Sequence, residues 1–297
     1  AQVRVTENKE TTIEKTKNLV GFTVDHFVNR DGDVQIHTHA VIFNLTFNEK
    51  NQKFQALHSD AFKSNVLEKI YENQLAFYLK EHGFAVDWEA STSGRSKYAA
   101  LSGVPKEAIE ATSKRAAEIK EAVEVLKNKY PNATVGELKQ IAAYETRQEK
   151  KEMTFEEIEK QFEERLNSVN LTKDDIVKSI ELAKVEKEVD NIKLNEFDVV
   201  KKAFEVVSEQ RAVFSKQDLI KAALDISSGD VSLKEIEKAI DSFVKDKELV
   251  NLSDQAKLKA GQRVFADTLM TTKQNLIAEK NIFKLAKDGK DKLEAVY

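Results

Sequence analysis

Histidine is scarce in this chain, five in 297 residues, yet three of the five fall in one short stretch, HFVNRDGDVQIHTH, as His26, His37 and His39. Neutral imidazole is the commonest nitrogen ligand of divalent cations, and a set of three leaves coordination positions open to water or substrate. A closed structural site usually recruits a fourth protein ligand, so the count favours chemistry over scaffolding. Taken singly, each histidine is explained as well by core filling or by a strand end. Convergence is what changes the reading, because crowded imidazoles without an ion repel one another once protonated. The cofactor expected is a divalent metal ion, Mg, Mn or Zn, since nitrogen ligation alone does not select among metals. The chain has no cysteine, which excludes thiolate ligands, disulfides and a cysteine nucleophile. It also contains no GxSxG, no HExxH and no GxxxxGK[ST] phosphate loop, so no phosphate-loop ATPase lies within these residues.

Convergence depends on strands. Residues 18 to 47 alternate with a period of two and are rich in β-branched and aromatic side chains. Asp31-Gly32 between the two halves is a strong hairpin signal, since a two-residue type I′ turn needs positive φ at both positions. That turn sets His26 opposite His37 and Val24 opposite His39, which brings all three imidazoles to one face.

A helix follows from about Ser59 to Glu81, with Phe62, Val66, Ile70 and Phe77 in its stripe and Gln74 where an apolar residue is expected. Phe84 to Thr92 and Lys97 to Leu101 form a second hairpin around Ser93-Gly94. Pro105 opens one long helix that Pro131 closes. Helices after Thr134, Thr154 and Thr172 start on a Ser/Thr followed three residues later by an acid. Glu186 to Asn195 is polar and separates residues 1–187 from 188–267, with a helical lead-out over 268–297. In 188–267, helices from Glu196, Lys216 and Leu233 precede strand-like runs at Glu248–Leu252 and Arg263–Ala266, the order of a winged helix. The fold class is α+β: an antiparallel sheet with helices, followed by a mainly helical winged-helix-like domain.

The composition, 41% hydrophobic and 33% charged, fits a folded chain of about two domains, and no apolar run approaches a membrane span. Net charge of −4 argues against DNA binding by bulk charge. The absence of cysteine fits a cytoplasmic setting. Beginning at Ala rather than Met, the chain reads as a fragment.

The run from His26 to Val41, HFVNRDGDVQIHTHAV, resembles the three-histidine signature of conjugative relaxases of the TrwC/TraI (MobF) type, within the HUH endonuclease group. Ser59-Asp60, the Tyr71–Phe77 segment, Gly103-Val-Pro105, Ser113-Lys-Arg115 and Thr146-Arg147 agree in order. Gln210–Ser215, Gly229–Leu233 and Met270-Thr-Thr272 resemble the segment that opens the helicase half of those proteins.

The resemblance implies an HUH-type palm, here incomplete, with His26, His37 and His39 as metal ligands. It implies nicking and religation of single-stranded DNA at an origin of transfer through a phosphotyrosine intermediate, with other relaxosome proteins as partners. None of Tyr71, Tyr78, Tyr98, Tyr130, Tyr144 or Tyr297 matches the family's nucleophile, which lies near the start of such proteins. The resemblance gives Arg30 a phosphate contact and lays the Gln74 helix against DNA, where Gln74 either reads a base edge or is a buried amide bonded to its neighbours. Arg147 is a further DNA-contact candidate; Arg95 and Lys97 beside Ser93-Gly94 are phosphate contacts or a solvated turn, and Trp88 and Phe84 stack unpaired bases or pack the second hairpin. The competing reading is a non-catalytic single-stranded-DNA-binding or scaffold module derived from a relaxase and helicase.

Overall fold

The structure is a computed structural model of the chain and describes residues 1–7, 9–29, 32–58, 64–90, 97–147, 153–188, 194–252 and 268–290. Three hairpins come first: β1 (Gln2–Glu7) with β2 (Glu10–Lys15), β3 (Gly21–Val28) with β4 (Val34–Ile42), and β5 (Thr46–Asn48) with β6 (Lys53–Gln55). Helix α1 (Ser64–Glu81) and a fourth strand pair, β7 (Val86–Ala90) with β8 (Lys97–Leu101), follow. Next come α2 (Lys106–Thr112), α3 (Lys114–Lys129), α4 (Val135–Glu145), α5 (Phe155–Asn167) and α6 (Lys173–Glu188). The remainder runs α7 (Glu196–Gln210), β9 (Phe214–Ser215), α8 (Lys216–Ser227), α9 (Leu233–Lys245), β10 (Leu249–Asn251), β11 (Leu269–Thr272) and α10 (Lys273–Gly289). This is an α+β chain with small antiparallel sheets, and no described helix is long and apolar enough to cross a membrane. Contacts divide it into two compact units, one of residues 1–19, 44–100 and 190–297, the other of 20–43 and 101–189.

In the first unit, α7 to β11 has the winged-helix order that the sequence suggests, with strands arranged β10-β11-β9. The two-residue strand β9 is too short to be read from periodicity. The run Arg263–Ala266 lies outside the described residues, and the strand that pairs with β10 is β11, through Leu249 opposite Thr272. Leu219, Leu224, Ile236, Ile240, Leu249 and Met270 are buried here. Each fully buried aliphatic of this size stabilises by about 1.5–3 kcal/mol.

Helix α1 seals the turn between α8 and α9. The Asn73 amide donates to Val231 O at 2.9 Å and accepts from Gly229 N at 2.9 Å. Lys80 Nζ reaches Ser228 O and Asp230, and the Trp88 indole N–H donates to Ser228 O at 3.1 Å. Gly229 has φ of 82° and lies so close that an added Cβ would sit 2.5 Å from the Ala76 Cβ. Only glycine meets both demands at no steric cost.

The second unit joins the β3–β4 hairpin to α2–α6. Val123 and Leu126 of α3 pack on Leu138 and Ala142 of α4 in a small core. The caps read from the sequence form: Thr134 and Thr154 make reciprocal capping boxes with Glu137 and Glu157, and Thr172 bonds Asp175. One expectation fails. The single helix from Pro105 to Pro131 is two helices, α2 and α3, broken at Ser113, whose φ of −105° and ψ of 56° are not helical. The break frees the backbone N–H of Arg115, and the Asp33 carboxylate takes it at 3.0 Å. Local periodicity cannot reveal a break stabilised by a residue 82 positions away.

Candidate metal centre

Strands β3 and β4 pair His26 with His37 and Val24 with His39, so the three imidazoles emerge on one face. Their ring centroids stand 4.9–5.3 Å apart, and one nitrogen from each ring lies within 4.8 Å of the others. His26 and His37 are half-buried and His39 is exposed. Nitrogens bound at about 2.1 Å around a tetrahedral ion stand roughly 3.4 Å apart, so modest rotamer adjustment brings these rings to ligating distance.

The register is as the alternation requires, but the turn is not the two-residue one expected. Asn29 N donates to Asp33 O at 2.9 Å, so the closing pair is separated by three residues of sequence rather than two, and Val28 pairs with Val34. Gly32 carries a φ of 78°. A bulge then restores the pairing: Gln35 and Ile36 together oppose Phe27, after which His37 faces His26. Without the bulge the longer loop would shift β4 by one residue and send His37 and His39 to the opposite face.

The bulge also fixes one ring. His37 Nδ1 lies 2.8 Å from Gln35 O. A carbonyl oxygen only accepts, so Nδ1 carries the proton and Nε2 keeps the lone pair that a cation takes. On the reverse face Thr38 Oγ1 donates to Asp25 Oδ1 at 2.6 Å.

The loop's last turn is anchored by a residue that sequence reading passed over. Asp33 is 4% exposed. Its carboxylate accepts from Arg115 N at 3.0 Å and Asn29 Nδ2 at 2.9 Å, and pairs with the Arg165 guanidinium. Burial pushes this carboxyl up, but the bonds from Arg115, Asn29 and Arg165, with the charge of Arg165, outweigh it and hold the group below its ordinary value. Arg115 in turn places its guanidinium on Ala143 O and on the carbonyl and hydroxyl of Thr146, finishing α4. The only prior signal was an acid beside a turn, which is commonplace.

Arg30 and Arg95 lie outside the described residues. Gln74 accepts from Leu233 N at 2.6 Å, at the start of α9. Lys97 opens β8, exposed, and Arg147 is exposed just beyond α4. Trp88 is engaged with Ser228, as above, and Phe84 is half-buried. Among the tyrosines, Tyr71 and Tyr78 are exposed on α1. Tyr98 donates to Glu89 at 2.7 Å, and that bond raises its pKa, with burial adding to the effect.

A hairpin that converges three imidazoles beside a helical scaffold defines a candidate metal-assisted centre on an α+β protein. The chain belongs to the TrwC relaxase family, whose profile matches residues 1–169. The multifunctional conjugation protein TraI of Escherichia coli K12 is 35% identical over 130 residues, which are 41% of this chain and 7% of TraI. A second Escherichia coli TraI is 32% identical over the same shares. The chain therefore spans only a small part of the length of these relatives. Solved structures of conjugative relaxase TrwC are also similar. The metal-bound complex with oriT DNA is 27% identical over 57% of each chain, with a TM-score of 0.49. The complex with a 27-mer DNA comprising the recognition hairpin and the cleavage site is 27% identical over 57% of this chain and 59% of that one, with a TM-score of 0.48.

Proposed function

We propose that this chain carries the metal-bearing part of a conjugative relaxase, an enzyme that nicks and religates single-stranded DNA at an origin of transfer. The observation that carries the reading is the convergence of His26, His37 and His39 within 4.8 Å in a chain of the relaxase family. The donor set fits a divalent cation: neutral nitrogens on one sheet face, with the tautomer of His37 already set for ligation through Nε2. A divalent cation held by His26, His37 and His39 would supply charge stabilisation at the scissile phosphate, offsetting the negative charge that grows on its non-bridging oxygens.

The residues of this chain hold and orient. His26 and His37, half-buried, form the floor of the site, and the exposed ring of His39 leaves an open side for a phosphodiester. Strand cleavage proceeds by attack of a tyrosine hydroxyl oxygen on phosphorus. The 3′-oxygen leaves, and a 5′-phosphotyrosine keeps the bond energy for religation. None of this chain's tyrosines matches the family's nucleophile, and in this reading the attacking tyrosine is supplied from outside these 297 residues. Arg30, Arg95, Lys97 and Arg147 serve as phosphate contacts in this reading. The Gln74 carbonyl is committed to Leu233 N, which leaves its amide nitrogen for a base edge.

Elemental analysis of the purified chain and of its His37→Ala/His39→Ala variant tests the ligand set, with metal expected in the first and lost from the second. An origin oligonucleotide offered to the chain extended by its upstream coding sequence should form a covalent adduct, and the chain alone should form none. A metal-free wild-type chain, or an adduct indifferent to the double substitution, would overturn the assignment.

A further inference from the structure

We propose that Asp33 is the positioning residue of the histidine hairpin: it latches the hairpin tip to the α2–α3 break and so holds the bulge whose carbonyl accepts the hydrogen bond from His37 Nδ1–H. The proposal rests on the metal-site reading above for its purpose, though not for its geometry.

Packing aims the hairpin only weakly: the Phe27 ring meets Phe155 of α5 edge-on, with centroids 5.3 Å apart. The hairpin's large apolar side chains face outward, with Phe22 at 51%, Phe27 at 46% and Ile36 at 77% exposure. A two-stranded ribbon with so little burial is marginal by itself and has no fixed direction. What fixes one end is Asp33, buried at the tip, whose carboxylate reaches two helices at once. At α3 it does the work of an N-cap. Ser113 stands in the cap position but makes no side-chain cap bond, and Asp33 accepts the Arg115 N–H in the first turn instead. A carboxylate there also meets the positive end of the helix dipole. At α5 it pairs with Arg165, whose guanidinium also donates to Thr112 O at the last residue of α2. The helix break, which costs α2–α3 its continuity, is what lets both bonds form.

From this latch the effect runs along four residues of β4. Asn29 closes the loop with paired bonds, its side-chain oxygen accepting from Asp33 N at 2.9 Å. Val34 is then locked opposite Val28, and the bulge at Gln35–Ile36 must absorb the extra residue before His37 faces His26. Gln35 O is thereby presented to the His37 ring at 2.8 Å. Release of the tip removes the reason for the bulge to stay at these two residues. Asp33 acts through the backbone of the hairpin.

The test uses the full 297-residue chain with Asp33→Ala, Asp33→Asn and Arg165→Gln. In the metal-free proteins, imidazole nitrogen chemical shifts at mildly alkaline pH report the share of His37 with its proton on Nδ1. Competition with a chelator gives the Zn2+ affinity. The wild-type ring should be held as the Nδ1–H form. In Asp33→Ala it should relax toward the mixture of a free imidazole, and Zn2+ affinity should fall about 10- to 100-fold, the usual cost of losing support behind a ligand. Asp33→Asn keeps an acceptor for Arg115 and should lie between. If Asp33→Ala does not fold, Asp33→Asn and Arg165→Gln carry the comparison. Variants whose unfolding temperature drops while tautomer and affinity stay within twofold of wild type would reduce Asp33 to a staple and overturn the proposal. A wild-type chain that binds none of Zn2+, Mn2+ and Mg2+ would sink the metal reading, and the tautomer would still decide the latch.

Discussion

Two turns in this molecule are built alike and used differently. The tip of the β3–β4 hairpin and the turn between α8 and α9 each contain a glycine with positive φ, Gly32 and Gly229, and each is held by polar contacts between a side chain and distant backbone, the tip's own Asp33 on Arg115 N and Asn73 of α1 on the turn's backbone. Around Gly229 the neighbours are buried: Val231 is 2% exposed and Ile236 is fully covered. Beyond Gly32 the strands turn their large apolar residues outward and gather three imidazoles instead. The first turn serves a hydrophobic core. The second serves a polar constellation that a core would not tolerate. Sites that break local rules of burial are where function is expected, and the histidine hairpin breaks them along both strands.

The comparison is broken hardest at Gly229. Replacing it with Val sets a Cβ 2.5 Å from the Ala76 Cβ and 3.1 Å from its backbone carbon, at a φ of 82° that β-branched residues avoid. The variant should lose about 3 kcal/mol or more in chemical unfolding of the winged-helix unit, from overpacking and backbone strain together. Its Zn2+ affinity should stay at the wild-type value. A loss below about 1 kcal/mol would show that α1 yields at this contact and that the two turns are less different than their packing implies.

Asn73→Ala is the next largest. It leaves Gly229 N and Val231 O without their amide partner in a site where Asn73 is 1% exposed. Gly229 N then becomes a buried donor without a partner, while Val231 O keeps the Ser227 hydroxyl at 3.1 Å, so the variant should lose about 1–3 kcal/mol. Amide exchange would locate the damage: protection should fall at Gly229 and Val231 and hold at Arg115. Equal loss at both turns would contradict the separation drawn between them.

What the sequence disclosed follows the same division. Period-two alternation and Asp31-Gly32 were enough to pair His26 with His37, because register is a local property of strands and turns. The same cue gave the wrong loop length, and the bulge at Gln35–Ile36 compensated for it. The cap residues Thr134, Thr154, Ser215 and Ser232 lie within three positions of their partners, so helix starts were legible. The break at Ser113 was not, since the stripe runs on from Ile109 to Ile119 and the stabilising carboxylate is 82 positions away. Gln74 stood out as an amide in an apolar stripe, but its partner, Leu233 N, is 159 positions away. Long-range polar contacts leave no period in a sequence, and they are what distinguishes the two turns.

The smallest effect separates the latches by charge and is absent at neutral pH. Asp33 titrates below its ordinary value because the bonds from Arg115, Asn29 and Arg165 outweigh the effect of burial, which alone would raise it. A carboxyl depressed in the folded state contributes stability that is complete above its unfolded pKa of about 3.9, and that contribution is lost as pH falls through the lower folded value. Between pH 7 and 5 this group should therefore leave stability unchanged, and below about pH 4 the wild-type chain should weaken more steeply than Asp33→Asn, which has no carboxyl to protonate. The acceptor at the other turn, the Asn73 amide, is neutral throughout. Over the same acid range, amide protection at Arg115 should fall before protection at Gly229, after correction for intrinsic exchange. A wild-type acid limb that overlays that of Asp33→Asn would show that the carboxylate is replaceable by any acceptor, and that geometry rather than charge holds the hairpin tip.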